Sequence, residues 1–433
     1  MNGTVYWIWL SLSVGIGSNS FAKLYEKYGS AEDIYSLDEE DYRRALGSRC
    51  SDITALKDKD LTRATEIYKF CTEKNVGILL YSDDKFPKAL KEISDPPVLL
   101  YYRGILPDFN TECFVSVVGT RRLSDYGRRN AYSLSFDLAR AGAHIVSGMA
   151  IGIDGVAMAG AIKAGGVTVA VLGSGIDVCY PIEHKRLAQE IVKKGCVLTE
   201  FAPGTKPISW NFPKRNRLIS GLSCATVVIE GREKGGSIIT AEYAKKQGRG
   251  LYALPGNIDN KTSEVCNLLI RNGAKLIAKA EDLIDDYEFV SLGKLNRFVL
   301  AEKAEMKMFD TFKELKIACV TPSDDIFNTY PKKKKDSKPK ADIPQAETAT
   351  KSDDEVKSTV AKSEEATPAV DFSSFDKKAL EIYKRIPPEG DCPIESLVCE
   401  KYSFKEVSRI LMKLEMGRFI VMLPQEKVKR NMR

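Results

Sequence analysis

Val117-Val-Gly119-Thr120-Arg121-Arg122-Leu-Ser124-Asp-Tyr126-Gly127 is an apolar run that stops at a glycine, turns through two arginines and opens into a helical pattern. Upstream the run continues back to Phe114, so Phe114–Val118 reads as a β-strand feeding a βα turn. Backbone amides at the strand end and at the helix start favour an anion there, and Arg121 with Arg122 adds positive charge. The spacing is neither GxGxxG nor a Walker loop, so it specifies neither NAD nor a nucleoside triphosphate. Taken by itself, it is equally the ordinary turn of an α/β protein with surface arginines.

The same pattern recurs along the chain. A strand at His144–Ser147 runs into Gly148-Met-Ala-Ile-Gly152-Ile-Asp154, where Asp154 is suited to capping the next helix. A strand at Thr168–Leu172 runs into Gly173-Ser-Gly175 and on to Tyr180-Pro181. Further strands are expected at Val197–Thr199, Thr226–Glu230, Leu251–Ala253 and Lys275–Ile277, the second of these leading to Gly235-Gly236-Ser237. Helical patterns at Arg128–Arg140, Lys185–Lys194 and Ile238–Gln247 separate them. Apolar strands alternating with helices predict an α/β fold with a mainly parallel sheet covered on both faces. The small-residue loops then share one crevice at the carboxyl ends of the strands.

Trp210-Asn-Phe212-Pro-Lys214-Arg215-Asn216-Arg217 is the most pointed cluster, set just ahead of the apolar stripe Leu218, Ile219 and Leu222. Phosphates want Lys and Arg, and unpaired bases want a π-face or a guanidinium plane. The competing expectation is that at least one of these arginines is an internal ion-pair partner and that Phe212 belongs to the core. Pro255 to Ala274, which contains Asn267, reads as an ordered loop feeding a helix.

Four segments organise the 433 residues. Residues 1–100 carry helical spacing with a tight turn at Gly15-Ile-Gly17, and 101–290 form the α/β core. Residues 291–370 are a charged linker, expected to be largely disordered where aromatics vanish. Residues 371–433 predict helices followed by a short hairpin, a winged-helix-like unit. Lys plus Arg number 65 against 59 acidic residues, a net charge of +6 that permits an anionic partner without demanding one. Ten cysteines with no CxxC pair, and only two histidines, argue against a metal centre and for a reducing compartment. There is no GxSxG or HExxH motif, so no catalytic residue and no cofactor is assigned. No apolar stretch reaches the roughly 18 residues of a membrane span, and no signal peptide is recognisable, so a cytoplasmic protein is expected.

Together these motifs resemble the DprA/Smf family of DNA-processing proteins. The resemblance rests on Gly119, Thr120, Arg121, Ser124, Tyr126 and Gly127; on Ser147 to Asp154; and on Phe212, Pro213, Arg215, Asn216, Arg217 and Ile219. It continues through Gly235 to Ala241 and Asn267 to Ala274, and reaches upstream through Asp83, Pro87 and Asp95-Pro-Pro97. It implies a Rossmann-like core that binds single-stranded DNA, a helical N-terminal domain like SAM or helix-hairpin-helix modules, a C-terminal winged helix, a homodimer, and RecA loading during natural transformation. The residues carried over as DNA-binding are Gly119, Thr120, Arg121, Arg122, Ser147, Gly148, Lys185, Phe212, Lys214, Arg215, Asn216, Arg217, Gly236, Ser237 and Asn267. The chain departs from the family after Pro181, where relatives commonly carry Lys and then Asn two residues later; here these are Ile182 and His184. Val265 stands where Gly is usual.

Two other readings compete. A Rossmann-like phosphoribohydrolase would use a Gly-Gly loop and a Glu, for which Gly235-Gly236 and Glu242 are loose candidates. A transcription regulator would instead read DNA with the C-terminal unit, whose tail from Lys427 to Arg433 is basic.

Overall fold

The apolar run that opens the core becomes an interior strand of a nine-stranded sheet. In the computed structural model the strands are β1 (Gly77–Leu80), β2 (Leu99–Gly104), β3 (Phe114–Val118), β4 (His144–Ser147), β5 (Thr168–Val171), β6 (Cys196–Thr199), β7 (Ala225–Val228), β8 (Gly250–Ala253) and β9 (Lys275–Leu276). The structure describes residues 2–232, 235–288, 291, 293–302 and 308–318, then 377–387, 392–397, 407, 410–411, 414, 420–423 and 427–430. The chain divides into two compact units, Met1–Lys334 and Lys335–Arg433.

The strand order is β1-β2-β6-β5-β4-β3-β7-β8-β9, parallel from β6 to β9. Within the parallel set the chain starts at β3, steps outward through β4, β5 and β6, then returns to lay β7, β8 and β9 on the other side. That is a doubly wound sheet, and its switch point lies between β3 and β7. Strand pleating sends alternate residues to opposite faces. Val115 and Val117 join one apolar cluster, and Phe114 and Val118 join the other. Between them the buried hydroxyls of Ser116 and Thr226 bond each other at 2.7 Å.

The first cluster takes helices α8 (Asp125–Arg140), α9 (Ile153–Lys163) and α10 (Lys185–Lys194); the second takes α11 (Asn211–Gly221), α12 (Gly236–Lys246) and α13 (Glu264–Arg271). The first also absorbs the N-terminal helices α1 (Thr4–Ser13), α2 (Ser20–Tyr28), α3 (Ala31–Ser36), α4 (Glu39–Leu46), α5 (Ile53–Leu56) and α6 (Thr62–Glu73), through buried Trp7, Leu10, Phe21, Ile34 and Ile67. Side-chain caps start two of these helices: Ser30 accepts from the Asp33 amide at 3.0 Å, and Asp38 accepts from the Asp41 amide at 2.8 Å.

Two features differ from the sequence reading. The first hundred residues are not helical throughout: β1 and β2 pair antiparallel, and β2 pairs antiparallel with β6 to finish one edge. Asp95-Pro-Pro97 breaks any helix, and the run beyond it is short and fully apolar, which suits a strand. The second is that Phe212 to Arg217, which the sequence reading set just ahead of the apolar stripe and gave no element of their own, are themselves helical, with Pro213 in the first turn, where an amide has no intrahelical partner.

Residues 296–302 lie against the end of α8. Arg140 donates to the carbonyls of Val299 at 2.7 Å and Glu302 at 3.1 Å. A helix at Met308–Leu315 follows (α15, after the short α7 at Lys88–Lys91 and α14 at Glu281–Tyr287). The remainder of the expected linker, 319–370, lies outside the described residues. In the second unit, α16 (Lys377–Arg385) accompanies a three-stranded antiparallel sheet of β10 (Cys392–Pro393), β12 (Lys427–Arg430) and β11 (Ile420–Leu423), in that order. Ile382, Ile386, Leu397, Val407, Leu411, Leu414 and Ile420 form its own core. The second expected helical stretch is a short 3-10 helix at Ile394–Leu397, and most of the third, Phe404–Leu414, with Gly417, lies outside the described residues. Among the described residues no helix is long and apolar enough to cross a membrane.

Arg217 ties β6 and the N-terminal segment to α11. Its guanidinium is buried and pairs with Asp95 at 2.9 Å and with Glu200, itself buried. Burial pushes the Glu200 carboxyl upward, and Arg217 opposes that rise. Removing one partner of a buried pair costs about 3–5 kcal/mol, so Arg217→Ala should destabilise the protein by that order in urea unfolding. A carboxyl with a raised folded-state pKa is tolerated when protonated and penalised as pH rises through that pKa. The loss should therefore be larger at pH 8 than at pH 5; equal losses would contradict this role.

Candidate nucleic-acid interface

The loops leaving β3 and β7 diverge at the switch point and open a crevice of about 590 Å³. Gly119, Thr120 and Arg121 line it from β3, Arg232, Gly235, Gly236 and Ser237 from β7, and Phe212, Arg215 and Asn216 from α11. A small adjoining hollow of about 30 Å³ is bounded by Arg121, Gly148, Tyr180, Pro181 and Phe212.

Its floor holds two buried side chains of opposite charge, Arg215 and Asp154, both beside Gly148. Arg215 donates to the carbonyl oxygens of Gly148, at 3.1 Å, and Val171, and to the Asn216 side-chain oxygen at 3.1 Å. Asp154 accepts from the Gly148 amide at 3.0 Å, and its carboxyl is pushed upward by complete burial and drawn back by Arg215. Asp154 is the second residue of α9 rather than its cap; it binds the loop before the helix, because Gly152 takes the cap position. A Cβ at residue 148 would stand 2.6 Å from the Arg215 guanidinium and 2.7 Å from Asp154, so only glycine fits there.

The wall is set by Glu230, to which sequence reasoning assigned no role. Buried just past β7, it accepts from the Ser124 amide at 2.9 Å, the Ser124 hydroxyl at 2.6 Å and the Thr262 hydroxyl at 2.8 Å. The Ser124 oxygen in turn accepts from the Gly127 amide at 3.1 Å, capping α8. The Glu230 carbonyl takes the Thr120 amide at 2.8 Å. One buried carboxylate thus fixes the β3–α8 loop against the β7 loop, beside a helix N-terminus that favours negative charge. The available signal was a Glu directly ending an apolar strand, since an ionised group there needs several donors.

With its loop braced, Arg121 is exposed, and its guanidinium lies 5.3 Å from the centre of the Phe212 ring. Phe212 is half-buried, with the Tyr180 ring 5.4 Å away and Arg215 5.9 Å away on its own helix. Opposite, the first turn of α12 presents the amides of Gly236 and Ser237, which lack intrahelical acceptors. Asn216 donates to the Gly236 carbonyl at 3.3 Å and holds that turn. Of the described lining residues, Arg121, Arg215 and Arg232 are cationic, and Asp154 is the carboxylate facing them.

The structure thus brings together Gly119, Thr120, Arg121, Gly148, Phe212, Arg215, Asn216, Gly236 and Ser237. Ser147 lies beneath, its hydroxyl donating to the Val117 carbonyl at 2.7 Å. Arg122 is half-buried, and Lys185 and Lys214 are exposed; none of the three lines the crevice. Arg217 faces Asp95 and Glu200 instead. Asn267 exchanges hydrogen bonds with the Gly256 backbone at 2.9 and 3.2 Å and borders a separate hollow beside Ile258 and Arg271. Glu242, the candidate for base cleavage, is exposed and outside the crevice lining. Among the described residues no group of three or more His, Cys, Asp or Glu is placed to hold a metal ion.

Fold and site define a doubly wound α/β protein with a glycine- and arginine-lined crevice at its switch point. A profile of the family described as DNA recombination-mediator protein A matches residues 77–288. The DNA processing protein DprA of Bacillus subtilis is 40% identical over 214 residues, 49% of this chain and 72% of that one. Its namesake from Streptococcus pneumoniae is 42% identical over 207 residues, 48% of this chain and 73% of that one. The X-ray structure of DprA from Streptococcus pneumoniae superposes with a TM-score of 0.57 at 33% identity, covering 66% of this chain and 98% of that one. The chain belongs to the DprA/Smf family of DNA-processing proteins.

The geometry separates arginines that build from arginines that face outward. Arg215→Ala strips the Gly148 and Val171 carbonyls and removes the buried guanidinium whose charge offsets the burial of Asp154, and should cost about 2–4 kcal/mol of stability. Arg121→Ala should change it by less than about 0.5 kcal/mol. Chemical unfolding of both variants checks the partition.

Proposed function

We propose that this chain binds single-stranded DNA in the switch-point crevice and acts as a recombination mediator. The observation that carries this reading is the exposed Arg121 guanidinium over Phe212 at an amide-lined crevice. Phosphates find Arg121, Arg232 and the first-turn amides of α12, and an unpaired base finds the Phe212 and Tyr180 rings. Gly119, Thr120, Gly148, Asn216, Gly236 and Ser237 shape the path. Lys185 and Lys214 supply flanking charge, while Ser147, Arg215 and Arg217 serve through the fold. A duplex would need its bases unstacked to use the rings, which favours single strands.

Family membership supports the wider role: a cytoplasmic protein that protects incoming DNA, pairs with a second copy and delivers the strand to RecA in natural transformation. In this reading the C-terminal unit is a winged-helix accessory on a tether.

Fluorescence anisotropy of a labelled oligo(dT) across a salt series tests the crevice. Affinity should fall steeply with salt, with a log–log slope of about −0.7 per phosphate neutralised. Arg121→Ala should weaken binding and flatten that slope by about 0.7. A chain ending at Lys334, the limit of the first unit, should bind as the full chain does. If its binding vanishes, or if Arg121→Ala binds unchanged, the crevice is not the site.

A further inference from the structure

His184 is fully buried and uses both ring nitrogens. Nδ1 lies 3.0 Å from the Met149 carbonyl, and Nε2 accepts the Ala318 amide at 3.1 Å. The two contacts together require the neutral tautomer with its proton on Nδ1, and burial lowers the imidazole's affinity for a second proton. Ala318 is engaged a second time, as its carbonyl accepts the Gly152 amide at 3.3 Å. One residue just after α15 therefore grips both ends of the loop between β4 and α9.

That loop is held in an uncommon shape. Met149 has a φ of +53° and Gly152 a φ of +94°, and a non-glycine residue in the left-handed region persists only when its surroundings impose it. On its other side the loop meets the Arg121 turn. The Ile153 amide donates to the Thr120 carbonyl at 3.2 Å, and a Cβ on residue 152 would stand 2.7 Å from the Arg121 Cα. Position in the Met149–Gly152 loop is thus passed directly to the turn that presents Arg121.

The segment that grips it is itself anchored. Thr311 and Leu315 are buried, the Thr311 and Tyr132 hydroxyls are 3.0 Å apart, and the Phe312 ring stands edge-on to Tyr132 at 5.7 Å. Residues 308–318 lie beyond the matched 77–288. An asparagine at position 184 would have an amide that reaches where imidazole Nδ1 sits but falls short of Nε2. It could hold Met149 but not Ala318.

We propose that residues 308–318 form a strap which, through His184, positions the DNA-facing loops in this chain. His184 is a positioning residue, and the strap is the last described stretch before the segment leading to the second unit. The inference rests on the single-strand reading above.

The test uses the full chain carrying His184→Asn, His184→Gln, Ala318→Pro, and the His184→Asn/Ala318→Pro double change. Ala318→Pro deletes the amide donor and keeps the carbonyl. His184→Gln keeps an acceptor at the Nε2 position. Readouts are oligo(dT) affinity, thermal unfolding, and hydrogen exchange of the amides in residues 149–154. His184→Asn and Ala318→Pro should each weaken binding about 3- to 10-fold, the worth of one buried hydrogen bond. The double change should weaken it no further, His184→Gln should bind near wild type, and the 149–154 amides should exchange faster in the two weakened variants. Wild-type affinity and unchanged exchange in His184→Asn and Ala318→Pro would overturn the strap, as would losses that multiply in the double variant. If the wild type itself fails to bind oligo(dT), the single-strand reading fails, and hydrogen exchange alone decides the strap.

Discussion

Two buried opposite charges, Arg215 and Asp154, held on the backbone around Gly148, are the constraint on which the site depends. Desolvating two charges is expensive, and the cost is met only where hydrogen bonds satisfy them. Here those bonds are the Gly148 and Val171 carbonyls, the Asn216 oxygen and the Gly148 amide. Together they join the ends of β4 and β5, the start of α9 and the helix that carries Phe212. Glu230 does the equivalent on the other side, joining the loops after β3 and β7. With both braces satisfied internally, Arg121 remains exposed over an aromatic ring. A crevice preorganised in this way loses little freedom when a ligand enters, which is where affinity is most easily lost.

Most of the parallel strands were legible because they are short apolar runs, and β3, β4 and β5 lead into a glycine loop. Phe114–Val118 and His144–Ser147 have the ends that the sequence suggests, and the other strands of the parallel set differ by one or two residues. The antiparallel edge was not legible. Gly77–Leu80 is only four residues long, follows a long helical pattern, and becomes a strand by pairing with a partner some twenty residues later. The convergence of the glycine loops was readable as a principle of doubly wound sheets, and the structure fills it with nine of the expected side chains and glycines.

The division of labour among the arginines was not readable. Arg215 and Arg217 sit two residues apart in one cluster and look alike in sequence. Their partners come from Asp154, Glu200 and Asp95, supplied by other elements, and only the fold reveals that one grips strand ends while the other joins an N-terminal segment. Sequence did anticipate that some of these cations would be internal. It could not anticipate His184, because a lone histidine after a Tyr-Pro turn carries no pattern, and Ala318 is 134 residues away.

Zero-length ultraviolet crosslinking of oligo(dT) to the full chain, followed by peptide mapping, tests the central claim most directly. The account predicts adducts on the peptides that carry Phe212 and Tyr180, because crosslinking needs a base in contact with a ring. Adducts confined to residues after 376, with none on those two peptides, would contradict it.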